Sequence, residues 1–391
     1  MERSDPIGLR GCHTSSRRPV RGSSRNTEVE RSRQQGGNSV ATVTRWAFNG
    51  PMNVELHLLA PGDTGGLEAR YDVLAAARTV DLPYDPPPSR LDSMAVLEHP
   101  WPGEKSISWL VRSTGSVVGV ASLHLPSMDN LENASVEVVI HPRHRRRGIG
   151  TAVMERLVDL ARTEGRHRII GEVCQGGPAL PTGERGSAAF AESCGAKEAL
   201  VETRRRLDLT TLDRPEIARL LGSAETAGRD YHLVPWVDRT PDAVIDGVAR
   251  LETRMVEDAP MGDLAWEPEQ FDAKRWRDTE TTIMGHGRRA YGCASVHTAT
   301  GEVTGFTLCV IDGDVPQHAW QWTTIVLPWH RGHRLGLRLK AENLITILGR
   351  EPALRTMDTW NAEVNGPMIA VNELMGYRPL DTWAEWQLEL G

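Results

Sequence analysis

Two stretches of this chain run through the same succession of hydrophobic patterns. In the first, Gly115 separates two extended runs and predicts a hairpin whose second arm covers 117–123. An apolar run over 136–140 predicts a strand, and a basic loop follows it. Next, Ile149, Val153, Leu157 and Leu160 recur at helical spacing, and 168–173 reads as another strand. In the second stretch the hairpin falls at Gly301 and a strand runs through 323–326. Leu337, Ala341, Leu344 and Leu348 then mark a helix, and the last strand is expected over 356–360. Strand, loop, helix, strand is a crossover unit, so its two strands should lie parallel.

The repetition keeps register. Residues Ser113 to Gly119 line up with Ala299 to Gly305 at an offset of 186. The same offset takes Pro142 to Pro328, Arg145 to Arg331, Gly150 to Gly336 and Glu172 to Asp358. Further on, Gly195 matches Gly376 at an offset of 181, so an intervening loop is longer in the first copy. Two copies about one domain length apart mean a duplicated domain, not a solenoid. The expected architecture is α/β (α+β): two tandem domains, each a mixed, largely antiparallel sheet with a central parallel strand pair flanked by helices. The domains are placed at 53–212 and 229–391, with a linker over 213–228 where Asp213, Arg214 and Pro215 supply turn chemistry. Residues 1–52 are rich in Arg and Ser and poor in apolar residues, so a disordered tail is expected there.

Composition narrows the function classes. The net charge of −7 argues against nucleic acid as the main partner. No apolar run reaches the roughly 18 residues of a membrane span, so no membrane partner is expected. The five cysteines are scattered and lack CxxC spacing, which points to a reducing cytoplasm and against a disulfide framework or a metal site. The twelve tryptophans, Trp320, Trp322, Trp329 and Trp360 among them, read as packing residues. Oligomeric state stays open, a homo-oligomer included.

The chemistry sits in the loop between strand and helix. In the first copy Val138, Val139 and Ile140 end the strand, and Arg145, Arg146, Arg147, Gly148, Ile149, Gly150 and Thr151 lead into the helix. Glycines allow close backbone approach, and a helix start offers unpaired N–H groups to a diphosphate. The arginines add charge for phosphate oxygens. The second copy has Thr324, Ile325 and Val326, then Arg331, Gly332, His333, Arg334, Leu335, Gly336 and Leu337. Arg-x-x-Gly-x-Gly in this setting resembles the acetyl-CoA signature of the GNAT superfamily, in its tandem, actinobacterial type. Arg334 stands where the first glycine of that signature belongs.

The resemblance implies direct acetyl transfer from acetyl-CoA, as co-substrate, to an amine of a small molecule, with no metal. It implies that Glu137 is the general base and that Thr323, its partner, cannot be. Glu172 and Asp358 are the second-choice bases. It implies that Asn365 and Asn361 contact the cofactor, and that Asn372 occupies the place of the tyrosine acid of many relatives. A free strand N–H at Ile140 or a neighbour, and at Val326, would polarise the thioester carbonyl. The first copy's Glu184, Ser187, Ala191 and Gly195 match the last helix less well. The acidic residues Glu257, Asp258 and Asp263 are candidates to line a site for a cationic amine. The alternative is a non-catalytic acyl-CoA-binding protein with one or both copies degenerate.

Overall fold

The computed structural model describes residues 54–177 and 186–391, together with the backbone of 45–47. The chain opens with β1 (Arg45–Ala47), β2 (Val54–Leu58), α1 (Thr64–Asp81) and α2 (Arg90–Ala95). β3 (Glu104–Ser113) and β4 (Ser116–Pro126) form the hairpin expected at Gly115. Thr114 and Gly115 both have positive φ, 50° and 83°, as a turn matched to the twist of its strands requires. β5 (Asn133–Ile140), α3 (Ile149–Thr163), β6 (Arg168–Gly176), α4 (Gly186–Ser193) and β7 (Lys197–Asp208) follow. The second series is α5 (Arg214–Ala227), β8 (Tyr231–Val237), α6 (Asp242–Thr253), α7 (Met255–Asp258), α8 (Ala273–Gly285), β9 (Arg288–His297), β10 (Val303–Asp312), β11 (His318–Val326), α9 (Leu335–Arg350), β12 (Thr356–Ala362), α10 (Gly366–Leu374) and β13 (Arg378–Glu389).

Two expectations change. Within the stretch expected to be disordered, 45–47 pairs antiparallel with β2, while 1–44 and 48–52 lie outside the described residues. The stretch expected to be a linker is helix α5. Its Asp213 is an N-cap accepting from the Glu216 amide at 3.0 Å, and Pro215 sits in the first turn. The same Asp-x-Pro chemistry serves a turn or a helix start. Ile217, Leu220 and Ala224 make the choice, because they bury against the cluster of Leu337, Ala341 and Leu344.

Among the described residues the strands form one sheet in the order β1-β2-β3-β4-β5-β6-β13-β7-β12-β11-β10-β9-β8. From β2 to β8 the order is a palindrome of the two copies, but the last strands have changed places. β13, from the second copy, pairs with β6, and β7, from the first copy, pairs with β12. Each half of the sheet is thus completed by a strand from the other copy.

A buried ion cluster fixes this seam. Arg204 on β7 is 1% exposed. Its Nε donates to Asp381 on β13 at 2.8 Å, and its Nη1 lies 2.6 Å from Asp85 in the loop between α1 and α2. Arg206 grips both oxygens of Asp358 at 2.7 Å and donates to the Tyr84 carbonyl at 2.6 Å. Removing one partner strands the others in low dielectric. Arg204→Leu is therefore expected to cost about 3–5 kcal/mol in denaturant unfolding. Arg219→Ala, which breaks a solvent-exposed pair with Glu216, should leave the unfolding midpoint close to the parent's in the same measurement.

Candidate active site

The two parallel strands of each half meet and then part. β5 pairs with β6 only through Asn133–Ser135 against Arg168–Ile170. β11 pairs with β12 only through His318–Trp320 against Thr356–Asp358. Beyond those points Val138, Val139 and Ile140, like Thr324, Ile325 and Val326, are paired on one side alone. Their backbone groups on the parting side face an opening between strands.

Each opening ends at a loop with the same backbone path. In the first, Arg146 and Gly148 have positive φ, 59° and 76°; in the second, Gly332 and Arg334 do, at 88° and 55°. The two left-handed positions coincide in the aligned copies, and each copy spends its glycine on a different one. Arg334 thus keeps the turn although the glycine is missing, and its side chain reaches Ser223 on α5. No side chain caps α3 or α9, so their first-turn amides, including Ile149, Gly150 and Thr151, and Leu335, Gly336 and Leu337, have no capping partner. The side chains of Ile149, Leu335 and Leu337 are buried in the core, so only their amides can serve a ligand. Arg147, Thr151 and His333 are exposed beside these helix starts.

Several side chains assigned to ligand binding are engaged elsewhere. Arg145 turns back, with Nε on the Ile140 carbonyl at 2.9 Å and a two-pronged pair with Asp81 at 2.6 Å. Arg331 does the same with the Val326 carbonyl at 3.1 Å and Asp258 at 3.4 Å. Both brace their loops. Asp358 is fully buried with both oxygens held by Arg206, which leaves no side for a substrate proton. Asn365 caps α10 through the Met368 amide at 3.4 Å. Asn361 accepts from Asn372 at 2.6 Å, both buried, and the Asn372 carbonyl oxygen has no partner. Glu257 and Asp258 pair with Arg254, while Asp263 donates its backbone N–H to Ala199 of the first copy at 2.8 Å. Glu184 lies outside the described residues.

The carboxylates at the first opening are a different matter. Glu137 on β5 and Glu172 on β6 lie on one face of the sheet, on either side of the parting. Largely buried Arg70 on α1 reaches Glu137 at 3.4 Å. Glu172 stands directly opposite Glu385 of the exchanged strand β13, and Glu202 on β7 is two pairs further on. Glu172 keeps solvent-exposed surface, while protein packs around its carboxyl on the sheet face. That enclosure, then the charges of Glu385 and Glu202, push its pKa up to about 8 against the pull of Arg204. Enclosure and Glu202 push Glu385 up to about 7, and burial raises Glu202 as well. Neither Glu202 nor Glu385 stands out in the sequence, because only the strand exchange brings them to Glu172.

The fixed offset that matched Glu172 to Asp358 fails on β12, because Trp360 lies 24 positions after Gly336 whereas Glu172 lies 22 after Gly150, and β11 carries a bulge of its own. Trp322 is an extra residue in β11, between Gln321 opposite Cys309 and Thr323 opposite Leu308. Pairing with the neighbouring strands places Trp360, opposite Arg204, where the first half has Glu172 opposite Glu385.

Comparison with known proteins agrees with this geometry. The acetyltransferase (GNAT) family model matches residues 74–179. A tandem GNAT protein from the clavulanic acid biosynthesis pathway, solved without AcCoA, is 34% identical, with a TM-score of 0.73 covering 86% of this chain and 99% of that one. The chain belongs to the GNAT acetyltransferase family. A GCN5-related N-acetyltransferase from Sphaerobacter thermophilus shares the GNAT fold at 15% identity, TM-score 0.60, covering 86% of this chain and 96% of that one. The glucosamine N-acetyltransferase region of a fungal multi-domain β-N-acetylglucosaminidase does so at 12% identity, TM-score 0.61, covering 87% of this chain and 38% of that one. No curated protein matches the chain. Among the described residues no helix is long and apolar enough to cross a membrane, and no cluster of His, Cys, Asp and Glu has the makings of a metal site.

The raised carboxyl pKa values of this GNAT chain have a sign. A folded-state value near 8 for Glu172, against 4.5 for the free group, means that ionisation opposes folding, so its stability contribution falls as pH rises from about 5 to 8. Glu172→Gln and Glu385→Gln should each raise Tm relative to the parent by more at pH 8 than at pH 5, as differential scanning calorimetry would show.

Proposed function

We propose that the chain is an N-acetyltransferase that moves an acetyl group from acetyl-CoA to a primary amine of a small molecule by direct transfer. The domains 53–212 and 229–391 are read as its two GNAT units, interlocked by the exchange of β7 and β13. The observation that carries the reading is the parting of β5 and β6 beside open carboxylates, ending at an uncapped helix.

The residues present fit such a co-substrate. Amides of Ile149, Gly150 and Thr151 would take the diphosphate, and exposed Arg146 and Arg147 would meet its charge. The freed edge of Val138, Val139 and Ile140 would hold the pantetheine arm by strand-like hydrogen bonds, and one of its N–H groups would polarise the thioester carbonyl. An amine attacks only when neutral. Glu172 is the better base, because its pKa lies close to working pH and no cation among the described residues pairs with it, whereas Glu137 is engaged by Arg70. The nitrogen lone pair attacks the carbonyl carbon, the C–S bond breaks, and the amine proton passes to Glu172. Asn372 cannot give a proton to the departing thiolate as a phenol would, so solvent supplies it. Three carboxylates at one opening favour an acceptor carrying a further positive charge.

Glu172→Gln is expected to lower kcat for CoA release by about a hundredfold or more while leaving acetyl-CoA affinity within about twofold. Turnover with a panel of amines and calorimetric titration with acetyl-CoA measure both. A chain that does not bind acetyl-CoA would refute the reading.

A further inference from the structure

We infer that acyl transfer takes place in the first half alone, in a site completed by Glu385 from the second copy's exchanged strand, and that the matching site of the second half has been filled in. The inference rests on the acetyl-transfer reading above and says where the chemistry happens.

Strand pairing sets the two sites side by side. Around the first opening stand Ser135, Glu172, Glu385 and Glu202. The matching positions of the second half are Trp320, Trp360, Arg204 and Trp383. Trp320 stacks on Trp360 with centroids 5.8 Å apart. The Arg204 guanidinium lies 5.7 Å from the Trp360 ring and 5.3 Å from the Trp383 ring. Asp85 and the Tyr84 carbonyl close the stack from the loop between α1 and α2. Indoles and a paired guanidinium occupy the volume that an acceptor would need, and Asp358 behind them is wholly enclosed.

Of those side chains only Trp383 also borders the first site, opposite Cys174 and Glu202, and its indole turns to Asp381 and Arg204. Among the described residues Glu172, Glu202 and Glu385 make no ion pair there, and the second copy's loop after α7 docks on Ala199 through Gly262 and Asp263 without inserting a cation between them. Thr323 replaces Glu137 in the second half, so a base is missing on that strand as well. The family model, too, matches 74–179 and so lies within the first half. The second half retains the loop path and the helix start, but its acceptor side is a scaffold.

Cys174 reports the location independently of the acceptor. It lies two residues beyond Glu172 on β6, on the same face, opposite Trp383. Bromoacetyl-CoA carries an alkylating carbon at the acyl position. Attack by the Cys174 sulfur forms an S–C bond, breaks the C–Br bond, releases bromide and gives the thiol proton to solvent; a neighbouring carboxylate can react in the same way. The full chain, incubated with bromoacetyl-CoA at alkaline pH and mapped by peptide mass spectrometry, should carry the label within 168–177, and free acetyl-CoA should block it. Cys174→Ser should lose the sulfur adduct. Label in 318–326 or 356–362, or no label in 168–177 although acetyl-CoA binds, overturns the inference. A chain that does not bind acetyl-CoA instead removes the acetyl-transfer reading beneath it.

Discussion

A guanidinium deep in a protein must be fully paired, and Arg204 shapes the molecule around that requirement. Its partners are Asp381 on the other copy's exchanged strand and Asp85 on a loop of its own copy, with Asp358 and Arg206 alongside. Meeting those pairings brings β7 and β13 between β6 and β12 and lays the loop after α1 across the second half. The ion cluster thereby does two things at once. It ties the exchanged strands of both copies together, and it fills the space beside the parting of β11 and β12.

What the duplication preserves is backbone, and what it lets drift is side chain. Both copies keep the parting of parallel strands, two left-handed residues in the loop, an arginine turned back onto the strand-end carbonyl, and an uncapped helix. Arg334 shows how strongly the path is held, since a side chain in that conformation costs roughly 1–2 kcal/mol that glycine avoids. By contrast, the faces beside the openings share almost nothing: carboxylates in one half, tryptophans and an arginine in the other.

The local features were legible in the sequence. The hairpins at Gly115 and Gly301, helices α3 and α9, and the strands before and after them follow from periodicity and turn residues, and the repeat announced the duplication. The exchange of β7 and β13 was not legible, because hydrophobic alternation says that a segment is a strand and not which neighbour it takes. The same gap hid Glu202 and Glu385. Arg145 and Arg331 read as phosphate ligands because composition cannot tell an arginine aimed outward from one folded back onto its own strand. Two more residues between Gly336 and β12 than between Gly150 and β6 were enough to pair Glu172 with the wrong partner in the aligned copies.

The central claim is that the opening between β5 and β6 is where the acetyl donor is used. Hydrogen–deuterium exchange of the full chain with and without acetyl-CoA tests it most directly. Protection concentrated in 136–141 and 148–152 is the predicted result. Protection confined to 323–327 and 334–338, or none at saturating acetyl-CoA, would contradict it.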